Sequence, residues 1–524
     1  MRSPERVALD TPLGWLSGLR WQADGASKHV SRFAGIPYAR PPVGARRFRA
    51  AEPAGGWQGE RDAAAPALAQ PQTSGGVELV PGMVPAATGD DSLSLTIWTP
   101  DGARARPVMV WIHGGSFTIG ASSLPSYDAA RLAADGDVVV VAINYRLGAL
   151  GWMALGAHGG DEWGAIANCG LLDQAAALRW VREHIAAYGG DAGNVTVFGE
   201  SAGGGSILHL LASPAGRGLC ERAIVQSGST GRTLSADQSS AVAHAVLEEL
   251  GLGRADQAAL EGLTSEQIVA AQERATPKLF AVAGMLPFHP ALDDATLPLT
   301  PLDALRAGNA RDVDVLLGVT TDEMRLFLEG PALEPERLHA RTRRYFGLDD
   351  AATSTLLDSY RELLGAARGG AEAVTPIDVW AAIFSDREMV VPAVAALDAH
   401  AASGGRSFGY VFDWPARPRG DGLELGACHG VDIPFTFATF SVDGWDAFVG
   451  ADADAQAAEA LSAALRASWC GFARTGDPAH EGVGSWPAYR PAERATMRLG
   501  RRPGVEFDPA AARLAALAAA GVEP

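Results

Sequence analysis

Ser201, held between two glycines in Gly199-Glu200-Ser201-Ala202-Gly203, has the setting of a nucleophile. Residues 194–198 before it read as a short buried strand, and residues 204–211 after it read as the opening of a helix. At such a strand-to-helix corner the serine takes strained backbone angles, and its neighbours must be small because strand and helix nearly touch. The hydroxyl then stands clear of the sheet, where a carbonyl carbon can reach it. The chemistry would be acyl transfer. With 62 glycines in 524 residues the pentapeptide alone is weak evidence, so partners elsewhere must carry the case.

A serine hydroxyl attacks only when a base takes its proton, and an imidazole titrating near neutrality can accept that proton and return it. Eleven histidines are available. His184, His209 and His244 fall inside helical patterns and read as surface or core-edge residues. His113 opens a glycine loop and reads as structural. His429 lies in the glycine-flanked segment Gly426-Ala427-Cys428-His429-Gly430-Val431-Asp432, beyond the strand-like residues 408–412. That is where a chain order of serine, acid, histidine places the base. The acid should follow a strand between Ser201 and His429, and Asp322-Glu323 does so after residues 313–318. The residues alone leave Asp322 and Glu323 as alternatives.

The elements that must position these groups alternate. Residues 108–112 form a strand running into the loop His113-Gly114-Gly115-Ser116-Phe117, and residues 137–143 form a second, apolar throughout. Between them residues 127–133 read as a helix. Residues 171–188 read as another, closed by Gly189-Gly190. Residues 223–226 and 313–318 are further short strands. Repeated β-α-β units predict an α/β fold with a mostly parallel, doubly wound central sheet and helices on both faces. Residues 230–375 are mainly helical in pattern and predict a cap-like insertion. The tail, 509–521, fits either a docked helix or a frayed end. No linker or repeat divides the chain, so residues 1–524 read as one domain.

Composition narrows the class. A formal net charge of −18 argues against nucleic acid or an anionic membrane as partner. The start, Met1-Arg2-Ser3-Pro4-Glu5-Arg6, lacks a following apolar run, and no stretch has the roughly 20 apolar residues that span a bilayer. The four cysteines, Cys169, Cys220, Cys428 and Cys470, are scattered without metal-ligand spacing, as expected of free thiols in a reducing cytosol.

The chain resembles the type-B carboxylesterase family, which includes bacterial para-nitrobenzyl esterases and the cholinesterases. The resemblance runs over nearly the whole sequence. Phe33-Ala34-Gly35-Ile36-Pro37-Tyr38-Ala39 and Asp90-Asp91-Ser92-Leu93-Ser94-Leu95 are similar to its first two signatures. Asn144-Tyr145-Arg146-Leu147-Gly148, Gly170-Leu171-Leu172-Asp173-Gln174 and Phe198-Gly199-Glu200-Ser201-Ala202-Gly203-Gly204 follow in family order, then Gln226-Ser227-Gly228, Asp322-Glu323, His429-Gly430 and Gly476-Asp477-Pro478. The resemblance implies an α/β-hydrolase fold, no cofactor or metal, and a small-molecule ester as substrate. It implies Ser201 as nucleophile, Glu323 rather than Asp322 as acid, and His429 as base. It also implies an oxyanion hole from the backbone N–H groups of Gly115, Ser116 and Ala202, with Glu200 and Ser227 supporting the site.

Three departures from the family pattern shape the expectation. The cysteines of a disulfide common in secreted relatives would fall at Gln70 and Ser92, which agrees with a cytoplasmic protein. Ser116 stands where the family usually has glycine or alanine, adding a hydroxyl to the oxyanion loop. The loop at 71–91 has no aromatic residue, whereas cholinesterases place there a tryptophan that holds a quaternary ammonium. Val80, Met83 and Val84 suit apolar acyl or aryl groups instead, or serve only as packing. The expected activity is a serine carboxylesterase. A carbamate or amide hydrolase with the same triad is the alternative, and a non-catalytic binding member is a further one.

Overall fold

The computed structural model describes residues 4–73, 80–158, 167–284, 286–442 and 444–522. Met1–Ser3 of the N-terminal reading and residues 74–79 of the 71–91 loop lie outside these. Thirteen strands among the described residues form one sheet: β1 (Glu5–Thr11), β2 (Gly14–Gln22), β3 (His29–Pro37), β4 (Glu60–Asp62), β5 (Ser94–Pro100), β6 (Arg106–Ile112), β7 (Val139–Ile143), β8 (Gly190–Glu200), β9 (Arg222–Gln226), β10 (Asp314–Thr320), β11 (Ser407–Asp413), β12 (Ala495–Gly500) and β13 (Gly504–Phe507). Their order is β1-β2-β3-β5-β7-β6-β8-β9-β10-β11-β12-β13, with β4 beside β2. From β7 through β12 every pairing is parallel. The flanks, β1-β2-β3-β5-β7 and β12-β13, are antiparallel.

Burial follows from this topology. Every residue of β7 is buried, because helices cover both faces of this interior strand. β1 alternates towards solvent instead, as an antiparallel edge with one wet face does. The sequence pattern reveals the central strands and passes over β1–β5, β12 and β13.

Three local readings are corrected. The helix expected at 127–133 runs over Ala130–Gly136, after a 3-10 turn at Pro125–Tyr127. Asp128 separates them: its Oδ1 accepts the Ala130 N–H at 3.0 Å, an Asx-type bond that starts the helix later. Asp137, read as part of a strand, takes a left-handed conformation (φ 51°) and ends that helix, so β7 begins at Val139. The helix expected at 171–188 is Cys169–His184 continued by a 3-10 turn, and Gly189 at φ 82° closes it.

Between residues 230 and 375 lie the helices Ala236–Glu249, Gln257–Gly262, Ser265–Ala283, Pro301–Arg306, Pro335–Phe346 and Asp350–Arg368, interrupted by β10 in the heart of the sheet. The tail is a docked helix, Ala511–Ala519, with Ala516 and Leu517 buried. No described helix is long and apolar enough to cross a membrane.

Two family-like motifs meet inside the core. Arg146 and Asp173 are both buried and paired twice, Nη2 to Oδ1 and Nε to Oδ2, each at 2.7 Å. The Arg146 backbone N–H also donates to Asp173 Oδ2 at 3.0 Å. A buried charge persists only when compensated in this way.

Candidate active site

Ser201 sits between β8 and the helix Ala202–Ala212, at φ 57° and ψ −122°. This left-handed corner is held from both sides. The Ser201 N–H donates to the Gln226 carbonyl at 2.9 Å, and the Ser201 carbonyl accepts the Gly205 N–H at 2.8 Å. The glycines around it are steric necessities. A Cβ on Gly203 would lie 1.9 Å from the Ile112 carbonyl oxygen, and one on Gly199 would lie 2.6 Å from the same atom. The helix therefore touches β6 backbone to backbone.

His429 comes from the loop after β11. Its Nε2 accepts the Ser201 hydroxyl at 2.7 Å, and its Nδ1–H donates to Glu323 Oε2 at 2.5 Å. Glu323 opens a 3-10 turn, Glu323–Phe327, directly beyond β10. Its other oxygen accepts the Ser227 hydroxyl at 2.6 Å and the Thr320 N–H at 2.8 Å, so the buried carboxylate is fully held. Asp322 points elsewhere. It accepts the Ala427 N–H at 3.2 Å, and its own N–H donates to the Ala427 carbonyl at 2.9 Å, bracing the histidine loop without touching the imidazole.

Glu200 adds a second carboxylate, its Oε1 lying 3.3 Å from His429 Nε2. Burial pushes the Glu200 carboxyl above its ordinary range, and the neighbouring imidazolium only partly offsets this. Burial disfavours the charged form of His429, yet Glu200 and Glu323 together hold its pKa above the usual imidazole value.

The glycine loop after β6 faces Ser201. Gly115, Ser116 and Phe117 all take positive φ (108°, 55° and 59°), and a Cβ on Gly114 would stand 3.1 Å from the Ser201 Cβ. Among the described residues, no hydrogen bond is donated by the backbone N–H of Gly115, Ser116 or Ala202. His113 is structural, as read: buried, stacked on Tyr145 at 4.5 Å, and bonded through Nδ1 to the Gly114 carbonyl at 2.8 Å.

Two cavities meet at Ser201 and His429. One, of about 230 Å³, is lined by Val80, Met83, Val84, Gly115, Ile119 and Leu326 among others, which brings the three apolar loop residues to the site. The second, of about 290 Å³, lies against the elbow helix and is lined by Gly205, His209, Ser229, Arg232, Met324 and Met389 among others. Ser116 and Phe327 border both, and the Phe327 ring packs on His429 with centroids 5.4 Å apart.

Sequence reading misses several of these positions. His209, read as a surface or core-edge residue, is fully buried and faces the second cavity. Its spacing is the available signal: Gly205 and His209 lie four and eight residues after Ser201, on one helical face. Gln226 is visible only as part of a motif. Its carbonyl holds the Ser201 N–H, while its side-chain Nε2 donates to Asp432 Oδ2 at 2.7 Å and to Thr436 Oγ1 at 3.1 Å. Its Oε1 accepts the Trp469 indole N–H at 3.1 Å. Among the described residues, no group of histidine, cysteine, aspartate and glutamate is arranged to hold a metal ion.

Comparison with known proteins agrees with this architecture. Residues 5–516 match the model of the carboxylesterase family. The chain is 37% identical over 484 residues to a para-nitrobenzyl esterase of Bacillus subtilis (strain 168), covering 92% of this chain and 93% of that one. It is 35% identical over 481 residues to a phenmedipham hydrolase of Pseudarthrobacter oxydans, covering 89% and 91%. Among solved structures, a thermophilic PNB esterase superposes with a TM-score of 0.83 at 35% identity, covering 97% of this chain and 99% of that one. A Geobacillus stearothermophilus carboxylesterase superposes with a TM-score of 0.82 at 34% identity, with the same coverage. On a match that spans almost its full length, and on the fold it shares with these esterases, the chain belongs to the carboxylesterase family.

Proposed function

We propose that this chain acts as a single-domain serine carboxylesterase through an acyl-enzyme on Ser201. The continuous hydrogen-bonded line from Ser201 Oγ through His429 to Glu323 carries the reading. His429 Nε2 takes the serine proton as Oγ attacks the ester carbonyl. Glu323 fixes the tautomer with the proton on Nδ1 and stabilises the imidazolium that forms. The N–H groups of Gly115, Ser116 and Ala202 would receive the oxyanion, each fixed donor contributing on the order of 3 kcal/mol. His429 then hands its proton to the departing alkoxide, and water cleaves the acyl-enzyme by the same steps in reverse roles.

The cavity lined by Val80, Met83 and the exposed Val84 gives the departing alcohol a path to solvent and suits apolar or aryl groups. The cavity against the elbow helix then holds the acyl group, which stays bonded to Ser201. Four buried free cysteines support a reducing, cytoplasmic setting. The similarity to a phenmedipham hydrolase favours carbamates as a second substrate class, since the same attack on a carbamate carbonyl needs no further group.

Ser201→Ala tests the assignment. Turnover of 4-nitrophenyl butyrate should fall by on the order of 10⁴-fold or more with the circular dichroism spectrum unchanged. A folded Ser201→Ala protein that still turns over the ester would overturn it.

A further inference from the structure

The cavity against the elbow helix is not uniformly apolar. Leu286, Met324, Phe327 and Met389 supply hydrocarbon walls, but Arg232, Ser229 and His209 also face it. The Arg232 side chain is 23% exposed, and among the described residues its guanidinium has one partner, Glu388, reached through Nη2. Glu388 is itself held by the Tyr345 hydroxyl on its other oxygen. Arginine carries five N–H donors in a planar fork, so one pairing leaves donors for a second carboxylate.

The two histidines near Arg232 have no such capacity. His209 Nδ1–H donates to the Gly205 carbonyl at 2.7 Å, and its Nε2 accepts the Thr233 hydroxyl at 3.0 Å. The His289 ring is bonded through Nδ1 to the Leu286 carbonyl at 2.5 Å, which leaves Nε2 of the neutral ring as an acceptor. Burial lowers the pKa of His209 to about 4. Burial likewise lowers His289 to about 3, and the positive field of Arg232 lowers it further. Away from Ser201 and His429, the cationic group that faces this cavity is therefore Arg232.

We propose that Arg232 anchors a carboxylate at the far end of the acyl group, making half-esters of dicarboxylic acids a preferred substrate class. The inference rests on the reading of Ser201 as nucleophile. The bond broken is the same ester bond: Ser201 Oγ joins the acyl carbon, the alkoxide leaves with the proton from His429, and the distal carboxylate is unchanged. Its place is to fix the acyl chain along the apolar walls so that the ester carbonyl sits over Ser201. A part-buried guanidinium with unfilled donors discriminates against a methyl group in the same place, because the methyl cannot replace the lost hydration.

The test compares kcat/KM for mono-4-nitrophenyl adipate and 4-nitrophenyl hexanoate, which differ at the chain end as carboxylate and methyl. The native enzyme should favour the adipate by about tenfold or more, and Arg232→Gln should lower that ratio by about tenfold or more. Glu388→Gln, which frees the guanidinium while leaving Arg232 in place, should raise the ratio, and it serves if Arg232→Gln fails to fold. A native ratio of one or less overturns the proposal, as does a preference that survives Arg232→Gln undiminished. Hexanoate turnover that disappears in Ser201→Ala keeps the nucleophile assignment standing whichever way the ratio falls.

Discussion

The Glu200 carboxylate lies 3.3 Å from His429 Nε2, the same nitrogen that accepts the Ser201 hydroxyl at 2.7 Å. Carboxyl and imidazole therefore titrate as one unit, and the proton that leaves it as pH rises belongs to the pair. Only the neutral imidazole can take the serine proton. Because Glu200 and Glu323 raise the His429 pKa, the acid limb of the kcat/KM profile should lie above the pH of an ordinary histidine. Glu200→Gln removes one negative neighbour, lowers the His429 pKa, and should shift that limb towards acid by about one unit. A pH–rate series on both proteins checks it, and an unmoved limb would show that Glu200 does not bear on the proton of His429.

Gln226 ties Ser201 to the loop that carries His429. Gln226→Leu should keep the carbonyl bond to the Ser201 N–H but take the side-chain partner from Asp432 and the Trp469 indole, both buried. Burial already raises the Asp432 carboxyl to about 6, and the Gln226 bond opposes that shift. The expected cost is about 2 kcal/mol in chemical denaturation, with kcat reduced more than KM is changed. Equal stability with unchanged kcat would remove Gln226 from any positioning role.

At Gly203 the constraint is steric. A Cβ 1.9 Å from the Ile112 carbonyl oxygen cannot be relieved by a side-chain rotation, because the obstacle belongs to the backbone. Gly203→Ala should push the elbow helix off β6, costing about 3 kcal/mol and lowering kcat together with Tm. Wild-type Tm in this variant would show that helix and strand can separate without loss.

Asp173→Ala strands Arg146, a buried guanidinium whose Nη2 also donates to the Arg49 carbonyl at 2.7 Å. Breaking a buried pair by removing one partner costs about 3–5 kcal/mol. Urea titration of the two proteins reads this directly, and a loss under about 1 kcal/mol would contradict the pairing.

What the order of residues settles unaided is local. The elbow is legible because its requirement is steric and lies within a few residues: glycines at 199 and 203, a buried strand before and a helix after. The central strands are legible because an interior strand covered on both faces must be apolar throughout, as residues 139–143 are. β1 and β2 escape because many of their side chains reach solvent, and β3 because one of its two partners is remote in sequence, Val30 pairing with Pro100. The choice between Asp322 and Glu323 is open in the residues themselves, since both follow the same strand and differ by one methylene. Folding separates the two: the turn after β10 sends Glu323 to the imidazole, while Asp322 pairs with the backbone at Ala427. The cavities are likewise tertiary, joining residues 80–84, the elbow helix, Arg232 and Met389 from distant parts of the chain. What the site can do follows from short-range chemistry written in the sequence, and what it can hold follows from long-range packing, where surfaces distant in sequence meet only once the chain has folded.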